Sequence, residues 1–282
     1  MNENEIIVHK CSSDDEFKQL VKAALNYSII SLPFTIDRMR LKNIQSRILN
    51  IYKGKLAEHL LNDFARKAKI NLDFQAGETG FWTRDIFDFS FQGIEWDIKN
   101  NFIRTEGLLP LKEYLNLPAL VPNRHKNDQW QNALLSDKKG FLFSFMSQGK
   151  FPSHKHINIS GAQLAFIKKL SGSELTRDKE PFEDDWFFGE LEKRGPKPEI
   201  SHIQIPELVI TGYCLPQHYS QFLDTDGKEH FNYVMFGGKW YTLDAKNRLN
   251  FREGLVRTRI RNATCPVAAL PSFKSLIAAS EK

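Results

Sequence analysis

The stretch "DIFDFSFQGIEWDIKNN", Asp85 to Asn101, decides how this chain is read. With Gln92-Gly93 as a two-residue turn, Gly93 supplying the positive φ that such turns favour, Phe91 faces Ile94 and Asp88 falls opposite Asp97. Strand side chains alternate with period two. Phe87, Phe89, Phe91, Ile94, Trp96 and Ile98 therefore share an apolar face, while Asp88, Ser90, Glu95, Asp97 and Lys99 share the other. Asp85 has the opposite parity and reads as a turn or start-of-strand residue. Opposed residues have Cβ atoms roughly 5 Å apart, where two like charges are destabilising unless something neutralises them. Mg²⁺ would do so, because it takes hard carboxylate oxygens and keeps positions for water and phosphate. Lys99, on the same face, would orient a water or neutralise charge developing at phosphorus. A solvent-facing polar hairpin with an ordinary Asp/Lys pair fits the same pattern, so neighbouring elements must decide.

Upstream, apolar residues recur at Leu41, Ile44, Ile48, Ile51, Leu56, Leu60, Phe64 and Ala68, mostly four apart. That spacing predicts a helix, or two meeting near Gly54. Glu58 lies about a hundred degrees from the centre of this stripe, at the border of the buried face, from which it can point along the sheet towards Asp88 and Asp97. A plain surface glutamate is the alternative. Around this pair, "INLDF" (70–74) reads as a short strand, "NDQWQNALL" (127–135) as a short helix and "GFLFSFMS" (140–147) as a buried strand. "SGAQLAFIKKL" (160–170) reads as a helix capped by Ser160, and "ELVITGYCL" (207–215) as a further strand. Strands and helices mix, with a crossover from the hairpin through a helix into "GFLFSFM", so the class is α/β.

The 282 residues are 41% hydrophobic and 12% aromatic, ample for a core. A net charge of +5 permits an anionic partner without requiring one. Cys11, Cys214 and Cys265 are far apart and in no metal-binding spacing, which fits a reducing compartment and ordinary thiols. The first residues lack the basic start and apolar run of a signal peptide, and no stretch reaches eighteen uninterrupted apolar residues. A soluble, cytoplasmic protein without membrane contact is expected.

The order "GKLAE" (54–58) on a helix, then "DFSFQGIEWDIK" (88–99), resembles the PD-(D/E)XK nucleases, the restriction-endonuclease-like superfamily. The resemblance covers about Leu41 to Gln148 and extends to the strand ending near Leu215. Two departures stand out: no proline precedes Asp88, and the tripeptide begins with Asp instead of the commoner Glu. The resemblance implies an α/β fold with a restriction-endonuclease-like core, a central mixed β-sheet flanked by helices, and peripheral additions. Residues 1–40 would be an N-terminal extension, 41–215 the core with 171–198 as a peripheral insertion, and 216–282 a β-rich basic extension packed on it.

For the site, the resemblance implies Glu58 as the helical acid, Asp88 and Asp97 as metal ligands, the Ile98 carbonyl as a further ligand and Lys99 as the catalytic lysine. Glu58 would hold a second ion or a metal-bound water. The cofactor is then Mg²⁺, with Mn²⁺ substituting. The implied activity is endonucleolytic hydrolysis of phosphodiester bonds in double-stranded DNA, as a restriction or other phage-defence enzyme. A homodimer is expected if one site per chain is to cut both strands. A repair, recombination or RNA-directed nuclease on the same core is the alternative enzyme, and a non-catalytic nucleic-acid-binding protein retaining the fold is the alternative outside catalysis.

For phosphate contacts, "GLVRTRIRN" (254–262) places Arg257, Arg259 and Arg261 on one side of an expected strand, with Lys246, Arg248 and Arg252 nearby. A solvated strand face is the other reading. Gln131 and Asn132 are candidates for orienting groups near the metal, or for capping and surface roles. His125, His154 and His156 read as exposed residues, not as ligands.

Overall fold

A computed structural model describes residues 1–36, 43–83, 85–103, 105, 107–123, 126, 128–147, 157–171, 173–177, 181–200, 207–224, 233–236, 239–243, 249–250 and 262–280. The strands are β1 (Ile7–Lys10), β2 (Phe89–Phe91), β3 (Ile94–Ile103), β4 (Pro118–Pro122), β5 (Lys139–Ser147), β6 (Ile157–Asn158), β7 (Glu199–Ile200), β8 (Glu207–Cys214), β9 (Leu223–Asp224), β10 (Tyr233–Phe236), β11 (Lys239–Leu243), β12 (Leu249–Asn250) and β13 (Asn262–Pro266). The helices are α1 (Asp14–Ile30), α2 (Leu32–Thr35), α3 (Ile44–Ala68), α4 (Leu111–Tyr114), α5 (Gln129–Ala133), α6 (Gly161–Leu170), α7 (Glu174–Arg177), α8 (Asp184–Glu192) and α9 (Phe273–Ser280).

A five-stranded mixed sheet in the order β1-β8-β5-β3-β2 forms the centre, flanked by helices, so the α/β class holds. The pair β3/β5 is parallel and every other neighbouring pair is antiparallel. Gln92 and Gly93 both take positive φ, 54° and 71°, so the expected two-residue turn is the kind whose twist matches paired strands. Phe91 pairs with Ile94 as the sequence predicts. The parallel step into β5 passes through α4, β4 and α5, the crossover that parallel strands require.

Alternation along β3 and β5 sorts the core into two halves. Trp96, Leu142 and Met146 point to the side where α1 and α3 supply Leu25, Ile29, Ile48, Tyr52, Leu56 and Leu60. Phe141, Phe143 and Phe145 point to the other side, where Tyr114, Trp130, Val121 and Cys265 close the second cluster. With both faces covered, β5 is buried along all but its first residue, as a near-continuous apolar strand should be. Each such large side chain contributes about 1.5–3 kcal/mol. Trp96 needs Gly140 beside it in register, since a Cβ there would lie 2.7 Å from the indole ring.

α3 runs as one helix through Gly54. That glycine is exposed and the apolar stripe continues in phase across it, so the cost is only the intrinsic penalty of about 1 kcal/mol against alanine. Asn43 caps its start and Lys69, at φ 58°, ends it. Ser160 caps α6 in a reciprocal arrangement with Gln163, as its sequence predicts. "INLDF" makes only a single bridge, Asp73 to Ser90, instead of a strand, with both backbone bonds at 2.8–2.9 Å. α8 contributes Phe187 and Leu191 to the first core half. β13 pairs with β4 in a separate sheet, and α9 sets Phe273 against Trp96. No helix among the described residues is long and apolar enough to cross a membrane.

Candidate active site

The hairpin ladder stops one residue short of what strict alternation predicts. Phe89 pairs with Trp96, and the N–H of Asp88 also donates to the Trp96 carbonyl, at 2.7 Å. Asp88 and Phe89 thus share one partner, a two-against-one arrangement that bends the strand, so Asp88 and Asp97 are not a ladder pair. The Asp88 carboxylate instead accepts the N–H of Ile98 at 2.5 Å, taking the place a backbone carbonyl would hold. Gly77 presses on this bend: a Cβ at that position would lie 2.7 Å from the Phe87 carbonyl oxygen and 2.9 Å from the Asp88 carbonyl group. Only glycine lets the 75–77 turn sit against the Asp88 peptide.

A cleft of about 390 Å³ opens between α1, α3 and the segment ahead of β2; Tyr27, Lys55, Glu58, Asp85, Phe87 and Asp88 are in its wall. Glu58 and Asp88 therefore line one cleft. Asp97 and Lys99 lie beside it, outside the wall. They share the sheet face of Phe141 and Phe143, their partners in register on β5, and Lys99 lies 5.4 Å from the centre of the Phe141 ring. There Lys99 Nζ and Asp97 Oδ1 form an ion pair at 2.5 Å, both side chains nearly enclosed. Glu58 also has an ammonium partner, Lys55, at 2.6 Å.

Asp88 differs from both. The one hydrogen-bond partner of its carboxylate among the described residues is the Ile98 amide. Burial holds its carboxyl well above the usual range; the charges of Asp97 and Glu58 push it further, against the opposing pull of Lys99 and the Ile98 N–H. Glu58 is likewise raised, by burial first, with Asp85 and Asp97 adding to it and Lys55 opposing. Asp88 thus feels the charges of Asp97, Glu58 and Lys99, and Glu58 that of Asp97, although Asp97 and Lys99 stand on the sheet face of Phe141 and Phe143 and Glu58 and Asp88 in the cleft.

The other expected residues fare differently. Gln131 donates to Asn123 at 2.9 Å, tying α5 to the end of β4, and is outside the cleft wall. Arg257, Arg259, Arg261, Lys246, Arg248, Arg252, His125, His154 and His156 lie outside the described residues. Several cleft residues escaped the sequence reading, among them Tyr27, Lys55 and Gly77. For Lys55 a signal was present, since a lysine three residues before Glu58 on a helix shares its side. Asp85 was set aside by parity, but parity applies only inside a ladder and Asp85 precedes it. Thr79 Oγ1 donates to its carboxylate at the rim.

Glu58, Asp88 and Asp97 form an all-oxygen donor set, hard in character, with more carboxylates than nearby ammonium groups, and this fits a divalent cation of the Mg²⁺ kind. They are not drawn to mutual ligand distance. Among the described residues, the trio of potential ligand atoms within 4.8 Å of one another is Cys11, Glu16 and Asp63, elsewhere on α1 and α3. No family model, curated protein or solved structure matches this chain.

Proposed function

We propose that the protein is a Mg²⁺-dependent endonuclease of the restriction or phage-defence kind, acting on double-stranded DNA and built on a restriction-endonuclease-like core. The observation that carries the reading is Asp88: a half-buried carboxyl at the end of a hairpin, pushed up by its desolvation and by Asp97 and Glu58, and paired with no ammonium group among the described residues. The element order supports it as well: α3 with Glu58, then β2 and β3, then a crossover to β5 and helices before β8. Glu58, Asp88, Asp97 and the Ile98 carbonyl would hold the ion, which when bound neutralises phosphate charge and makes a water nucleophilic.

The chain's own part is positioning. The Ile98 N–H fixes the Asp88 carboxylate, and Asp97 holds Lys99 where its ammonium can meet charge developing on phosphorus. Phosphodiester hydrolysis depends on such positioning and charge neutralisation, so no covalent nucleophile is needed. With one such site per chain, a homodimer would cut both strands.

One observation favours a second reading, a non-catalytic nucleic-acid-binding protein on the same fold: Glu58 and Asp97 are each already paired with a lysine. Incubation of plasmid DNA and of single-stranded RNA with Mg²⁺ or EDTA separates the readings, with Lys99→Ala as the control. Mg²⁺-dependent cleavage of plasmid into discrete fragments is the expected result. Cleavage of RNA alone moves the substrate to RNA. Binding of DNA without cleavage in Mg²⁺ or Mn²⁺ overturns the nuclease.

A further inference from the structure

An Mg²⁺ ion holds its oxygen ligands at about 2 Å, so the ion and its waters fill only part of a cleft of about 390 Å³. The rest of the wall has two different sides. On α3, Glu58 is followed by His59 and, one turn further on, by Asn62. Neither the His59 imidazole nor the Asn62 amide makes a hydrogen bond to another described residue, so both keep donors and acceptors for whatever enters. Facing them, from the chain between α3 and β2, are three half-buried rings, Phe74, Phe81 and Phe87. Each is held by a neighbour. Phe74 lies 5.3 Å from Phe89, Phe81 lies 5.3 Å from Tyr27 and 5.6 Å from Phe34, and the Lys139 ammonium is 5.1 Å from the centre of the Phe87 ring. Rings fixed in this way need no reordering to pack on a flat ligand. Core packing alone would bury them fully; here they share a cavity with free polar groups, the composition of a small-ligand site.

Charge selects the occupant. The rim carries Glu78 and Asp85, both exposed, and the Lys55 ammonium is already taken by Glu58 at 2.6 Å. Away from Asp88, therefore, the cleft repels phosphate and suits a neutral ring. In a nucleic acid the neutral flat group next to a phosphodiester is its base. Any base can stack on aromatic side chains, and His59 and Asn62 stand opposite them, where its polar edge would fall. A paired base cannot use such a site, because its faces are covered by its neighbours in the stack and its edge by its partner. It must first leave the duplex.

We infer that the cleft takes one unpaired nucleobase from beside the cut phosphodiester, between the Phe74, Phe81 and Phe87 rings and the His59 and Asn62 side chains. This rests on the nuclease reading and names the form of DNA on which it acts, a duplex opened by one nucleotide.

The test offers the full-length protein three end-labelled DNAs: a fully paired duplex, the same duplex with one extra unpaired nucleotide, and that bulged duplex with the extra nucleotide abasic. Binding is read by fluorescence anisotropy in EDTA and again in Ca²⁺, so that it does not depend on cleavage. The bulged duplex should bind about tenfold more tightly than the paired one, because its base is already out of the stack, and the abasic bulge should lose that gain. Phe81→Ala should lose it too, Phe81→Tyr should keep it, and Asn62→Ala, at an exposed helix position, should reduce it, with the paired duplex bound as by wild type. Equal binding of the two bulged DNAs by wild type would overturn the inference, since the site would then be reading a bend and not a base; this comparison needs no variant. Equal loss on paired and bulged DNA in Phe81→Ala would overturn it as well. Either result leaves the nuclease standing if plasmid is still cut in Mg²⁺. Tighter binding of the base-bearing bulge without cleavage of any DNA in Mg²⁺ or Mn²⁺ would keep the pocket and overturn the nuclease.

Discussion

Two carboxylates, the buried Asp63 and the half-buried Asp88, illustrate opposite uses of the same group. Asp63, on α3, accepts from Arg66 and Lys67, each at 2.6 Å, and lies 2.9 Å from His9 of β1. Glu16 of α1 shares the same two cations, at 3.2 and 2.8 Å. Burial would raise the Asp63 carboxyl, but the bonds from Lys67, Arg66 and His9 outweigh it and hold it below its usual range. Asp88 has burial and two neighbouring acids pushing it up, with too little positive charge to offset them. Burial is common to both; charge balance distinguishes them. The first cluster joins β1, α1 and α3 and is complete in itself. Its closeness to Cys11 does not make it a metal site, because its acids are already neutralised and burial pushes the Cys11 thiol up to about 11. In the second, the acids around Asp88 outweigh the pull of Lys99 and the Ile98 N–H.

The sharpest way to break this contrast is to remove a side chain from each cluster. Lys99→Ala should lower Mg²⁺-dependent cleavage by about 10²–10³-fold, the scale of one electrostatic stabiliser, with secondary structure intact. A variant cleaving at the wild-type rate would remove Lys99 from the chemistry. Asp63→Ala should leave cleavage per folded molecule unchanged but cost about 1–3 kcal/mol in denaturant unfolding, since it leaves the buried His9 ring without its partner while Arg66 and Lys67 keep Glu16. Equal effects of both changes on stability would erase the distinction between a structural and a functional carboxylate.

Much of this arrangement was legible in the sequence, and the failures have particular causes. The turn at Gln92-Gly93, the pairing of Phe91 with Ile94 and the apolar face of Phe89, Phe91 and Trp96 follow from local steric rules and period-two alternation, and they hold. Alternation fails at Asp88 because the chain bends there: two residues oppose Trp96, and a carboxylate takes over a ladder bond that period-two counting assigns to the backbone. Glu58 could be placed at the border of its helix, but its partner Lys55 and the Tyr27 ring above it depend on how α1 crosses α3. Gly77, ahead of the hairpin in a polar stretch with Gly80, reads from sequence as nothing more than a turn. Its contact with the Asp88 peptide joins segments that sequence spacing does not connect.

Gly77 gives the next test. Gly77→Ala should cost about 1–3 kcal/mol, the range for overpacking a closed site, because the added Cβ must push the Asp88 peptide away. If the Asp88 bend is what faces the ion, the same change should weaken Mn²⁺ binding in the metal-free protein. A destabilised variant with unchanged Mn²⁺ affinity would separate the bend from the site.

The smallest expected effect has an opposite sign for each of the two acids. Asp88→Asn keeps an oxygen for the Ile98 N–H and removes a charge opposed by its neighbours, so at neutral pH without divalent ions it should stabilise the fold by up to about 1 kcal/mol. The pH dependence follows from linkage. Asp88 has a raised folded value, so the native state binds its proton more tightly than the unfolded chain, and stability falls as pH rises from the unfolded carboxyl value near 3.9 through the folded one. Asp63 has a lowered folded value, so its contribution is present above about 3.9 and is lost as pH falls through the folded value. Unfolding free energies of wild type, Asp88→Asn and Asp63→Asn from pH 3 to 8 should show the first variant gaining over wild type as pH rises and the second losing. Mg²⁺ should close the Asp88→Asn gap by stabilising wild type alone, because an ion that binds only the folded state adds its binding free energy to stability. If Mg²⁺ stabilised both proteins equally, the ion would be binding somewhere other than the unbalanced carboxylate at the end of the hairpin.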